Sequence, residues 1–223
     1  MASWAEVVAF MQPLDRGAGE NKSDSDCEVS YRVMSNLPVI VFDKGERKRR
    51  VVPMRWGFPH PRDWRRPQPI HARSESIDVT RAFADAFAQG QRGIVLMRTF
   101  NEAPDVEGPT IQHRITPVEG GMLATAFVWR RFAIADQPQP LFACVLVTVP
   151  ANRLIATLPA DRMPAFLAPQ DWAVWLGEEP ANLESVKACL RTVEGVDWTM
   201  AREGKRGPVV RGKPVVSDPT GLF

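Results

Sequence analysis

The sequence is poor in cysteine, has no long apolar run and carries little net charge, and each shortage removes a class of function. Its three cysteines, Cys27, Cys144 and Cys189, are odd in number and no pair has metal-ligand spacing. The sequence therefore offers neither a disulfide framework nor a thiolate metal centre, and reads as reduced thiols in a cytoplasmic protein. No stretch of about 18 apolar residues occurs, so no segment reads as a membrane-spanning helix. The opening residues, Met1-Ala2-Ser3-Trp4-Ala5-Glu6, lack the basic start and long apolar core of a signal peptide. A net charge of +2, from 28 basic and 26 acidic residues, does not by itself imply a nucleic-acid partner.

What is present is a globular composition: 44% hydrophobic over 223 residues, enough apolar surface for one substantial core. No internal repeat appears. Ser3 precedes an apolar stretch, Trp4 to Met11, with Glu6 placed as a capping-box partner, which predicts a short helix. Residues 16–28 are polar, rich in Gly, Asn, Ser and Asp, and predict a flexible loop. Tyr31–Val33 and Pro38–Phe42 read as strands, and Asp43-Lys44-Gly45 as the turn of a hairpin into Arg50–Pro53. Four prolines between 57 and 69 predict an irregular, stiff loop. Thr80–Gln89 has helical spacing and ends at Gly90. Gly93–Met97, Thr110–Ile115, Met122–Phe132 and Phe142–Val149 read as strands, the last as the central one, with Glu119-Gly120-Gly121 as a turn. Helices are predicted from Pro169 through Trp175, with Trp172 and Trp175 in the core, and over Leu183–Leu190. Strands outnumber helices without regular alternation, which predicts an α+β fold in a single domain over 1–223, ending in a basic segment, 202–223.

The charge is distributed less evenly than its sum suggests. Lys44–Arg50, Arg62–Arg66 and Arg202–Lys213 are basic clusters, and Trp64 lies inside the second. Each reads either as a solvated turn or tail, or as part of a phosphate-tracking surface with an aromatic for base stacking.

Two blocks anchor the functional reading, Met54-Arg55-Trp56-Gly57 and Asp161-Arg162-Met163-Pro164. Between them lie Ile70-His71-Ala72-Arg73-Ser74-Glu75 and Phe100-Asn101-Glu102, and Tyr31-Arg32-Val33 comes before. In this order and spacing, the stretch from Tyr31 to Trp175 resembles the SOS response-associated peptidase (SRAP) family. The resemblance implies a β-barrel-like mixed or antiparallel sheet with a few peripheral helices. It further implies a positively charged cleft for single-stranded DNA, and covalent attachment to abasic sites. In that chemistry an N-terminal cysteine supplies an amine and a thiol. The amine forms an imine with the sugar aldehyde and the thiol closes it to a thiazolidine, while an asparagine, a glutamate and a histidine position the aldehyde and move protons.

Carried over residue by residue, the chemical set is incomplete. Ala2 stands where the family has its cysteine, His71 where it has asparagine, and Ala160 where it has histidine. Glu102 is kept, as are Arg73, Glu75 and Arg162, and Trp64 stands where the family has a tryptophan that wedges against bases. Either the family's first strand lies upstream of this start, or the chemistry is lost; the changes at His71 and Ala160 favour loss. A free α-amine at Ala2 could still form a reversible imine. Within the site, His71 reads as a satisfied histidine or as a proton donor in a repurposed pocket. Arg73 reads as an arginine paired with Glu75 or Glu102, as a phosphate ligand, or as both. A His71-Glu102-His113 metal site has uninformative spacing, and neither metal nor cofactor is expected.

The expected function is binding of single-stranded or abasic DNA in the damage response, by a monomer near the nucleoid. Arg73, Arg162, Trp64, Glu75 and Arg66 form the binding set, while Glu102 and His71 carry whatever catalysis remains. A scaffold for a protein partner on the same fold is the alternative. Peptidase activity has no recognisable Ser-His-Asp or Cys-His set behind it.

Overall fold

The structure, a computed structural model, describes residues 30–103, 111–118, 121–135, 137–194 and 197–202. The predicted helix from Ser3, the loop at 16–28, Ala2, Cys27, the Glu119-Gly120 part of the turn and the basic segment beyond Arg202 lie outside these residues.

Twelve strands and three short helices are described. The long hairpin of β1 (Asn36–Asp43) and β2 (Lys48–Trp56) pairs through eight consecutive residues, Asn36 opposite Arg55 and Asp43 opposite Lys48. The Asp43 carboxylate accepts from the backbone N–H groups of Gly45 and Glu46, which fixes the turn. A small hairpin follows, β3 (Pro59–His60) and β4 (Asp63–Pro67), then β5 (His71–Arg73). After α1 (Ala84–Ala88) come β6 (Arg92–Met97), β7 (Phe100–Glu102), β8 (His113–Pro117), β9 (Leu123–Phe132) and β10 (Leu141–Pro150). The chain then gives β11 (Arg162–Pro164), α2 (Trp172–Leu176), α3 (Leu183–Ala188) and β12 (Trp198–Arg202).

Pairing in the order β10-β2-β1-β6-β9, with β9 returning to β10, closes a five-stranded barrel. All pairs are antiparallel except β2 with β10, so the sheet is mixed, and the predicted α+β barrel core is what the chain forms. Successive side chains point to opposite faces, and here both faces are covered. Val39, Val41, Met54, Val95, Phe127 and Cys144 fill the barrel, while Ile40, Ile94, Ala126, Val145 and Val147 face outward into a second core with the helices. That is why these strands read as unbroken apolar runs. Gly93 belongs to the inner face, where an added Cβ would sit 2.4 Å from Val39 Cγ1.

β10 is the strand on which everything meets. One edge pairs with β9 from Leu141 to Leu146 and then with β11 from Thr148 to Pro150. The other pairs in parallel with β2 at Ala143 and Cys144, then with β5 from Leu146 to Thr148. A second sheet, β12-β8-β7, leans on the barrel through Phe100, Phe166 and Trp198, whose rings stand 5.4, 5.6 and 5.7 Å apart. Such edge-on and tilted contacts add to the area they bury.

Several expectations need correction. Residues 31–33 form no strand; Ser35 N–H bonds Arg32 O at 2.9 Å and Met34 takes a left-handed φ of 76°, so this is a turn leading into β1. The proline-rich stretch is more than a loop: it holds the β3–β4 hairpin, with Pro59 opposite Pro67 and a shift of register between Pro59 and His60, and such a two-stranded ribbon tolerates proline because its outer edges need no donor. The helix predicted over Thr80–Gln89 is confined to Ala84–Ala88, with hydrogen-bonded turns before it. β12 was not foreseen, since five residues with one buried aromatic carry little strand signal.

Arg92 ties helices to barrel. It is only 6% exposed and has no carboxylate; its Nε donates to Trp175 O at 2.5 Å and its Nη1 to Phe87 O at 2.6 Å. Trp175 lies in the last turn of α2 and Phe87 in that of α1, so the cation closes two helix C-termini, where free carbonyls favour positive charge. Burial still pushes its pKa down to about 10. Replacing Arg92 with Ala is expected to cost about 3 kcal/mol or more, from two charge-assisted bonds and a cavity. Urea denaturation followed by circular dichroism measures this.

Candidate nucleic-acid interface

The register brings the motif residues to one end of the barrel. β2 ends there at Trp56, β6 leaves it towards Glu102, and β10 reaches it at Thr148 with β5 on one edge and β11 on the other. Arg73 is opposite Thr148, and Arg162 is opposite Pro150. The two arginine-bearing strands are thus about 10 Å apart, two strand spacings, across β10.

Arg162 is engaged through both terminal nitrogens, while its Nε is buried with no hydrogen-bond partner among the described residues. Its Nη1 donates to Glu75 Oε1 at 2.5 Å and its Nη2 to Glu75 Oε2 at 2.8 Å, while Nη2 also donates to Thr148 O at 2.6 Å. Glu75 begins the helical turn after β5, so this fork links β5, β10 and β11. Hydrogen bonding from Arg162 holds the Glu75 carboxyl down at about 2. The expectation that Arg73 pairs with Glu75 or Glu102 therefore needs correction: Arg162 takes Glu75, and Glu102 makes no ion pair with Arg73. Arg73 is exposed, and among the described residues no ion-pair or hydrogen-bond partner engages its side chain.

On the far side of β11, Glu102 is half-buried in β7, directly across from His113. Burial raises its pKa, and the nearby Asp161 charge adds to that against a bond from the Ala103 backbone. A carboxyl held in this way is a better proton acceptor than an exposed one. His113 Nδ1 is buried with no hydrogen-bond partner among the described residues. Among those residues no group of three or more His, Cys, Asp and Glu side chains is placed to hold a metal ion.

His71 keeps an edge open to solvent, with its ring 6.4 Å from Trp56, whose Nε1 is fixed by Ile70 O. Desolvation lowers the pKa of the imidazole from its ordinary value. Ala160 packs against the outer core and supplies no proton-transfer group.

Trp64 is half-exposed on β4, held from below by a residue that sequence reasoning missed. Arg55 is 5% exposed. It donates from Nη1 to Trp64 O at 2.8 Å and from Nε to Gly57 O at 3.3 Å, with its guanidinium carbon 6.0 Å from the Trp64 ring centre. Arg65 stands 5.5 Å from the same ring. Gly57, at φ +106°, lets Pro67 come within 2.5 Å of where its Cβ would be, so the hairpin folds tightly back onto β2. A charged residue between Met54 and Trp56, in a strand buried on both faces, is the signal that could have exposed Arg55. Arg66, also in this hairpin, is exposed.

The first basic cluster does not belong to this site. Lys44–Arg50 spans the opposite end of the β1–β2 hairpin, about 25 Å away at strand rise. Much of its charge is internally answered: Arg49 by Glu178 at 2.5 Å, Arg50 by Asp43 and Glu46, and Lys48 by Glu46 at 2.5 Å.

Comparison with known proteins bears on what this end of the barrel is for. A family model described as SOS response associated peptidase (SRAP) matches residues 3–203. No curated protein matches the sequence significantly. Solved structures share the fold. One, from Bacteroides thetaiotaomicron, has a TM-score of 0.64 at 17% identity, over 77% of this chain and 75% of its own. One from Bordetella bronchiseptica has a TM-score of 0.63 at 19% identity, over 75% and 84%. A phage-related protein of the same species has 0.60 at 17%, over 91% and 92%.

The Glu75–Arg162 fork makes a pH prediction. A depressed carboxylate pKa means that the ion pair is intact above the ordinary glutamate range and is lost as pH falls through about 2. The Glu75 side-chain carboxyl carbon, followed by NMR, is expected to titrate near that value, and to return towards about 4.3 in Arg162→Gln.

Proposed function

Since the chain belongs to the SOS response associated peptidase (SRAP) family, and so carries a role associated with DNA damage, we propose that the barrel end described above binds single-stranded or abasic DNA. The observation that carries this reading is Arg73: an exposed guanidinium with no carboxylate partner among the described residues, on a strand that shares β10 with the Arg162 strand, and nine residues after a half-exposed tryptophan flanked by arginines. A phosphodiester chain running past Arg65 and Arg66 to Arg73 meets cations along its length. Trp64, set by Arg55 and Gly57, offers a face on which a base can stack whatever its identity. Glu75 holds Arg162 beside this path.

The chemical half of the family's activity is reduced in this reading. His71 and Ala160 replace an asparagine and a histidine, and the alanine packs on apolar neighbours where a proton carrier would stand. Glu102, with its raised pKa, and His71, with its lowered one, remain as proton acceptors. Where Ala2 carries the free α-amine it supplies no thiol, so an imine formed there is not closed to a thiazolidine. The result is reversible capture of an aldehyde, trapped only when borohydride reduces it. A charged barrel end, rather than an apolar one, favours a nucleic-acid strand over a protein partner.

Fluorescence anisotropy with a labelled oligothymidine tests the reading. Affinity is expected to fall steeply with salt, and Arg73→Ala to weaken binding about tenfold while reducing the slope of log K against log salt by about 0.7, one single-strand phosphate contact. Binding that ignores salt, or no binding at all, overturns it and leaves a protein-interaction module on the same fold.

A further inference from the structure

Arg162 presents a problem for any phosphate-binding role: both of its terminal nitrogens are already committed. Resting on the strand-binding reading above, we infer that Glu75 gates Arg162. The carboxylate occupies the guanidinium fork in the free protein and must be exchanged for a phosphate before the barrel end offers its second cation.

The two sides of the fork are held differently. Arg162 is anchored from beneath, because Nη2 also donates to the Thr148 carbonyl, and only 20% of its side chain is exposed. Glu75 has 50% of its side chain exposed, and beyond the fork its carboxylate is held only locally among the described residues, by a weak 3.4 Å bond from Ser74 Oγ and by its own backbone N–H. The carboxylate is thus the half that can leave. Its backbone stays where it is, because Lys187 Nζ of α3 donates to Glu75 O at 2.9 Å and to Asp78 Oδ1 at 2.7 Å. Opening the gate requires rotation of one side chain, with no movement of the turn. Protonation does not open it near neutrality, since the carboxyl is ionised down to about pH 2. A competing anion does, and a phosphodiester offers the two-oxygen fork that a guanidinium matches.

The arrangement also discriminates between anions. At rest the end of the barrel presents Arg73 as an open cation, with Arg162 neutralised by Glu75 and with Glu102 and Asp161 nearby. An isolated anion gains one contact at Arg73. To reach Arg162 it must displace an intramolecular carboxylate, a ligand at high effective concentration. A linked chain of phosphates held at Arg73 places its next phosphate against the gate at a similarly high local concentration. The exchange is therefore favoured for a polyanion and not for a lone ion.

The experiment compares wild type, Glu75→Gln and the double variant Glu75→Gln/Arg162→Gln, using two probes: a labelled oligothymidine and inorganic tripolyphosphate. Glu75→Gln is expected to bind both more tightly at low salt, by about tenfold, the lower range for a hydrogen bond to a charged group. Its salt slope with the oligonucleotide should steepen by about 0.7, and the double variant should lose both gains. If Glu75→Gln binds both probes no better than wild type at an unchanged thermal midpoint, Glu75 only positions Arg162 and the gate is overturned. Wild type without oligonucleotide affinity would sink the strand-binding reading alone; an Arg162-dependent gain for tripolyphosphate in Glu75→Gln would still support the gate. The wild-type chain provides a check that needs no substitution. The Arg162 NεH resonance should shift on saturation with tripolyphosphate, and a resonance that stays in place refutes the exchange.

Discussion

A strand has two edges, and β10 uses both of them twice. On one side it passes from β9 to β11, and on the other from β2 to β5. The change of partner occurs near Leu146 to Thr148 on both sides, so two short strands are inserted where two long ones leave. The barrel is closed by the first set and the site is built by the second. β5 carries His71 and Arg73 and leads to Glu75, and β11 carries Arg162; neither strand exceeds three residues. Strands this short have no stability of their own. They are held because β10 is buried along most of its length and has ladder positions left to satisfy.

The same economy explains where charge is buried. Arg55, Arg92 and Arg162 are three arginines the fold draws inward, and each is tied to backbone carbonyls. Carbonyl acceptors let a guanidinium serve as a multi-pronged clasp without a buried carboxylate for each one. Arg92 clasps helix ends to the barrel, Arg55 clasps the hairpin that carries Trp64, and Arg162 clasps β11 to β10. Only the last also takes a carboxylate, and that carboxylate faces solvent. Arg73 has none of these ties, which separates an arginine held by the fold from one that is free to meet a ligand.

Much of the architecture was legible in the chain. β1, β6, β9 and β10 follow the apolar runs almost to their ends, because two buried faces favour apolar residues along them, whereas only Arg50–Pro53 of β2 was read as strand. Asp43-Lys44-Gly45 marked its hairpin, and Trp172 and Trp175 were read as core at helical spacing. Short elements fared worse. The β3–β4 hairpin was hidden by prolines, β12 by brevity, and residues 31–33 look extended although a left-handed Met34 turns them. Basic clusters misled for a related reason: Lys44–Arg50 and Arg62–Arg66 are equally positive in sequence, yet one is answered by Asp43, Glu46 and Glu178 far from the site, and the other stands beside it.

The sequence by itself determined the family, the closed apolar barrel and the residues His71 and Ala160 within the motifs, since all of these are matters of residue identity and order. Which arginine meets which acid was left to the tertiary structure. Glu75 is two residues from Arg73 and 87 from Arg162, and it bonds the distant one. Glu75 has left the strand for the helical turn after β5, so it does not continue the face of Arg73, whereas β10 brings β5 and β11 to its two edges. Proximity across a shared strand, not along the chain, sets the electrostatics of this site.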